Sequence, residues 1–191
     1  MTVYSNILKV TSRTEFRQWL INHSTTEKEC WVTVKRGAPS IDGVFYYIDA
    51  VEEALCFGWI DSTVRNIEGV VMQRFSPRRK NSHWTSLNKE RVCRLEKMGL
   101  MTDVGRAVLP EMNIDQFKMD EDLEDALKKA GVWTQFQEFH PLYKRIRTHN
   151  VLFARKRSCE AYHKALAHLI EKTRKGKMYG EWNDYGRLLD Y

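Results

Sequence analysis

WIDSTVRNIEGVVMQRFSP, residues 59–77, reads as two strands folded back on each other. Branched and aromatic residues recur in both halves, and Asn66-Ile67-Glu68-Gly69 breaks them in the middle, as a hairpin turn does. Two registers compete. A two-residue loop at Ile67-Glu68 sets Asp61 opposite Arg74, Ile60 opposite Phe75 and Val64 opposite Val71, which segregates apolar from polar faces and makes a cross-strand ion pair. Ile67 and Glu68, however, suit poorly the positive φ that such a loop needs. A three-residue loop with Gly69 in the left-handed region suits the turn better and moves Asp61 opposite Phe75. The pattern leaves both open.

The flanks supply helices. SRTEFRQWLINHS predicts one, with Ser12 as cap, Glu15 three residues on, and Phe16, Trp19 and Leu20 on one face. CWVTVKRG alternates as a strand, and IDAVEEALCFG is a short helix closed by Gly58. PRRKNSHW is a basic loop leading into a helix over 84–98, with Trp84, Leu87, Val92, Leu95 and Met98 on one side. TDVGRAVLPEM is a second short helix, capped by Thr102 and broken by Pro110. Beyond it the pattern is helical. MDEDLEDALKKAG carries an acidic first turn and a basic last one, HPLYKRIRTHNVLF has Pro141 at the first helical position, and SCEAYHKALAHLIEKTRKG runs from Ser158 to Gly176. The expected class is α+β: a small mixed sheet with a β-hairpin and flanking helices over 1–110, then a helical part over 111–191 packed on it, ending in an aromatic tail.

Composition narrows the class. A length of 191 residues suits one domain or one with a helical extension, and 42% hydrophobic residues can build a sizeable core. The net charge of +6 is mild, so a nucleic-acid partner stays possible without being favoured. Cys30, Cys56, Cys93 and Cys159 form no Cys-x-x-Cys pair, and each reads as a reduced packing residue. The start MTVYSNILKV does not resemble a secretion signal, and no run of 18 apolar residues occurs, so a cytoplasmic protein without a membrane span is expected. No cofactor and no metal site are expected.

The stretch from Ala50 to Gly105 has a distinctive order: E-A-L-x-F-G-W-I-D at Glu53 to Asp61, R-F-x-P-R at Arg74 to Arg78, Trp84 opening a helix, E-R-V at Glu90 to Val92, then Gly99, Met101 and Thr102. In these residues it resembles the bacterial family called bacteriocin-protection or YdeI/OmpD-associated proteins, over about residues 28–110. The resemblance implies a role in stress or peptide resistance rather than a defined reaction. Some relatives bear a thymidylate synthase label. It is not carried over, because no cysteine here stands in a Pro-Cys-His setting.

Several constellations could carry chemistry. Arg74, Arg78, Arg79, Lys80 and His83 run into a helix start, where free N–H groups and the dipole attract anions. With Trp59 and Trp84 as an apolar or stacking wall and Asp61 orienting an arginine, they make a site for a small phosphate- or carboxylate-bearing ligand. This gives the leading expectation, a non-enzymatic binding protein. Asp61 paired with Arg74 is also the candidate catalytic residue if the chain is an enzyme on a small polar substrate. A nucleic-acid module would add KRIRTH at 144–149 and Arg155-Lys156-Arg157. Cys56, at a helix C-terminus where the dipole disfavours thiolate, is a core residue and no nucleophile. Glu160-x-x-His163 and His168-x-x-Glu171 fall short of a di-iron pattern and read as exposed helix charges. Tyr179, Trp182, Tyr185 and Tyr191 strap the tail to the core or cover a ligand.

Overall fold

The computed structural model describes residues 4–79, 82–113, 117–189 and 191. The chain forms two compact units, Met1–His83 with Arg91–Glu111, and Trp84–Glu90 with Met112–Tyr191. The class is α+β.

The first unit is built on a sheet of order β1-β3-β2, from β1 (Cys30–Val32), β2 (Trp59–Ile67) and β3 (Val70–Pro77). These strands pair antiparallel, and two isolated parallel bridges, Ile7 with Trp31 and Lys35 with Tyr46, extend the pairing. Helix α1 (Arg13–His23) starts where Ser12 accepts a hydrogen bond from the Glu15 N–H, the cap expected from its type. Phe16 and Leu20 on its inner face are fully buried. The Phe16 ring lies 5.7 Å from Phe45 and 5.5 Å from Phe75. Helix α2 (Tyr47–Cys56) is buried almost all round, from Ile48 to Cys56, the signature of a helix enclosed by its neighbours.

The hairpin follows neither expected register along its whole length. Its turn is Glu68-Gly69, with φ of 51° and 86°, so that Ile67 faces Val70. Both residues are left-handed, which matches the twist of the strands, and the Asn66 side chain accepts from the Gly69 N–H at 2.9 Å. Further down, Val64 faces Gln73 but Asp61 faces Phe75. Two residues of β2, Ser62 and Thr63, therefore oppose Arg74 alone, which is a β-bulge. The buried Gln73 amide donates to the Thr63 carbonyl at 3.4 Å and the Arg74 carbonyl at 3.2 Å.

Glu52 and Glu53 on α2 are 0% and 1% exposed. Arg13 donates through Nε to Glu53 at 2.5 Å and through Nη1 to Glu52 at 2.7 Å. Arg17 donates to Glu53 at 2.6 Å and to the Leu100 carbonyl at 2.8 Å. Arg94 closes the network on Glu52 at 2.8 Å. Arg94 comes from α3 (Ser86–Lys97), whose residues from Arg91 onward belong to this unit.

The end of α2 is fastened by α4 (Asp103–Arg106). The Cys56 carbonyl accepts from the Thr102 N–H at 3.1 Å and from its hydroxyl at 2.6 Å. The same hydroxyl caps α4 by accepting from the Gly105 N–H. Only glycine fits at 105, because a Cβ there would lie 2.1 Å from the Cys56 carbonyl oxygen.

The second unit holds α5 (Glu121–Lys129), α6 (Trp133–Glu138), α7 (Pro141–Arg157) and α8 (Cys159–Arg174). Asp120 and Ser158 cap α5 and α8, and Pro141 opens α7. Leu123, Leu127, Phe136, Tyr143, Ile146 and Leu169 form its core, joined by Trp182 and Leu188 of the tail. Arg147 is 8% exposed and pins that tail. It donates to the Tyr179 carbonyl at 2.5 Å and stacks on the Tyr179 ring, 4.2 Å from its centre. Tyr191 donates to Glu90 at 2.7 Å. The tail is thus a strap tied by buried aromatics, a guanidinium and one ion-pair acceptor.

Gly105→Ala should lower unfolding stability by at least about 2 kcal/mol, since backbone must move to admit a methyl group; chemical denaturation measures it. Arg94→Met should lower stability by about 3 kcal/mol by leaving Glu52 undercompensated, and adding Glu52→Gln should recover part of that loss. Equal stability of the single and double variants would contradict a buried charge network.

Candidate functional site

Asp61 is brought to its place by the bulge, and its partner is not Arg74. Its carboxylate accepts from the Tyr47 hydroxyl at 2.6 Å. Arg74 turns instead to Glu29, donating through Nε at 2.6 Å, and to the Ser62 hydroxyl at 3.3 Å. The expected Asp61–Arg74 pair does not form because the turn sits at Glu68-Gly69, one residue later than Ile67-Glu68; the ladder from that turn would set Asp61 opposite Ser76, and the bulge brings it back only as far as Phe75. Burial raises the Glu29 carboxyl, but hydrogen bonds from Arg74, Trp31 and Ser5 outweigh it and hold the group below its ordinary range.

Tyr47 opens α2, and its backbone N–H donates to the Lys35 carbonyl at 2.9 Å. That bond brings the next residue, Arg36, over the Tyr47 ring, 3.8 Å from its centre. Arg36 also donates to the Gln73 carbonyl oxygen at 2.5 Å, so the amide that steadies the bulge also orients this guanidinium. Burial and the Asp61 charge raise the Tyr47 phenol well above its ordinary value, against the Arg91 and Arg36 charges. Tyr47 therefore stays protonated as a donor, and Asp61 acts as its acceptor.

Arg78 continues the β3 ladder, its N–H donating to the Gly58 carbonyl at 2.9 Å. Its side chain is 8% exposed and donates to the Ser82 hydroxyl and the His83 carbonyl, each at 3.3 Å. Burial pushes its pKa down to about 10, against the opposing charge of Asp61. Arg36, Arg78 and Arg91 thus act on a centre whose acidic member is Asp61.

The other expected site residues scatter. Trp59 is 1% exposed and donates to the Ser24 carbonyl at 3.0 Å. Its ring packs edge-on to Trp19 at 5.6 Å, so it is a core residue rather than a stacking wall. Trp84 is also buried and belongs to the second unit. Arg79 is exposed, and Lys80 lies outside the described residues. At the start of α3 the Thr85 hydroxyl accepts from the Asn88 N–H. Cys56 is fully buried, and burial with the Glu53 charge pushes its thiol up to about 11, as core packing requires. In the second unit Arg145 is paired with Glu90, and Arg155, itself exposed, with Asp120 and Asp122. Among the described residues no acidic, cysteine or histidine cluster could hold a metal ion, and no helix is long and apolar enough to cross a membrane.

Tyr47, Arg36 and Gln73 escaped the sequence reading. Gln73 left one trace, a lone amide between Val71 and Phe75, two residues to either side, on what became the central strand. Arg36 left none, because a short parallel bridge brings it to the site.

The partners assigned to Arg74 can be tested by double-mutant cycles. The Arg74–Glu29 cycle should give a coupling of about 0.5–1 kcal/mol, and the Arg74–Asp61 cycle one near zero.

No curated protein and no solved structure matches the chain. Residues 8–108, more than half of it, match the family described as Domain of unknown function (DUF8412), and the matched span contains α1 to α4, the hairpin and every residue around Asp61. The chain belongs to the DUF8412 family.

Proposed function

We propose that the chain is a non-enzymatic binding protein for a small anionic ligand bearing phosphate or carboxylate, taken beside the Tyr47–Asp61 pair by Arg78, with Arg36 and Arg91 in support. One observation carries this reading. Arg78 is nine-tenths buried, and its charged form is penalised there despite Asp61. A cation in that condition gains from an incoming anion, which repays its lost hydration. The guanidinium offers a planar fork that matches both anion types. The Tyr47–Asp61 hydrogen bond engages Oδ2 of Asp61 and holds that carboxylate in place beside the site. The resemblance of residues 28–110 to the YdeI/OmpD-associated proteins supports a stress- or resistance-associated role for this binding, in a chain we read as cytoplasmic.

Titration of the full chain with inorganic phosphate and with citrate, followed by calorimetry at low and moderate salt, tests the site. Wild type should bind with an affinity that falls as salt rises. Arg78→Ala should weaken binding at least about tenfold, as removal of a charge-assisted contact does, while Arg78→Lys retains part of it and Arg79→Ala changes little. Salt-insensitive binding, or unchanged binding in a folded Arg78→Ala protein, would overturn the assignment.

A further inference from the structure

The second unit contains a cavity that neither the anion reading nor the core packing uses. It encloses about 250 Å³ between Phe117, Met119, Phe136, Gln137, Pro141 and Lys144. Its floor is apolar. Phe136 is 1% exposed, and Met119 is held from behind by the Thr148 hydroxyl, which donates to its sulfur at 3.3 Å. One wall faces water, since Phe117 is 40% exposed. Lys144 stands at the rim. Its ammonium donates to the Gln137 carbonyl at 2.8 Å and to the Gln137 side-chain oxygen at 3.3 Å. Both acceptors are neutral, and among the described residues no carboxylate lies within ion-pair distance of it. An ammonium has three donors, so one remains for a ligand.

We propose that this cavity is a binding site for a small monocarboxylate with an apolar body, the body against Phe117, Met119 and Phe136 and the carboxylate on Lys144. Size sets the body. A dry cavity of about 150 Å³ takes benzene, so this one has room for a ring with a short chain and not for a larger scaffold. The methionine can adjust to the ring's outline. Charge sets the head. A single ammonium is a compact point charge, which matches one carboxylate and would leave the second charge of a phosphate monoester unbalanced. Phe117 also borders a smaller pocket of about 110 Å³ lined by Lys89 and Arg145, the latter paired with Glu90. The site is independent of Arg78 and of the ligand proposed for the first unit.

The probes are 3-phenylpropanoate and its uncharged amide, titrated into the full chain while Trp133 fluorescence and the chemical shifts of Lys144 and Phe136 are followed. Trp133 reports because its ring stacks on Phe136 at 6.3 Å. The acid should bind more tightly than the amide by about fivefold, the scale of a half-exposed charge contact. Lys144→Met should abolish that difference, Lys144→Arg should keep it, Phe117→Ala should weaken both probes, and Arg78→Ala should change neither. Equal binding of acid and amide by wild type overturns the proposal, as does saturable binding of the acid with no response at Lys144 and Phe136. A preference for the acid that survives Lys144→Met in a folded protein overturns it too.

Discussion

Two carboxylates side by side on α2, buried to the last ångström, are the constraint from which the first unit is organised. Glu52 and Glu53 repel each other and have lost their water, so each needs cations in hydrogen-bonding contact. Helix α1 supplies Arg13 and Arg17 one turn apart, and the latter half of α3 supplies Arg94. These contacts are directional where hydrophobic packing is not. They fix the rotation of α1 and the level at which α2 sits, because a slip of one residue would leave a bare charge in the core. Arg17 then carries the constraint onward to the Leu100 carbonyl, and the next residues bring Thr102 under the end of α2.

The hairpin obeys a second constraint, set by its bulge. One extra residue in β2 sets Asp61 opposite Phe75 instead of Ser76, where its carboxylate meets the Tyr47 phenol. Arg74, opposite the bulge, reaches Glu29 and thereby ties β3 to the start of β1. A local irregularity in one strand thus separates a structural ion pair from the centre where Arg36, Arg78 and Arg91 act. The two units carry different chemistry, the first with guanidinium groups about Asp61, the second with an apolar hollow and the Lys144 ammonium at its lip.

Much of the fold was legible in the residues. Ser12, Thr102 and Ser158 each cap the helix that their type and spacing announced, and Pro141 opens α7 as its fixed φ allows. What escaped was whatever depended on residues far apart in the chain. Glutamates are expected outside, and nothing local at 52 and 53 announces three arginines 36 to 42 positions away. The register failed for a related reason: Glu68 enters the left-handed region only because the Asn66 side chain and the strand twist favour it, and the bulge leaves no mark in a hydrophobic pattern. Trp59 was read as part of a binding wall from its neighbours in sequence, while its indole N–H found the Ser24 carbonyl inside the core. The six-residue α6 was too short for its periodicity to show.

The cysteines fall unevenly across the molecule. Cys30 and Cys56 are fully buried in the first unit, and burial raises both thiols, whereas Cys159 lies exposed at the start of α8 in the second. A thiol-specific reagent therefore reaches Cys159 of the folded chain first, ahead of the half-buried Cys93 of the first unit. It reaches Cys30 and Cys56 only when the charge network around α2 opens, so alkylation at those two positions is a built-in clock for local unfolding of the unit that bears the family fold.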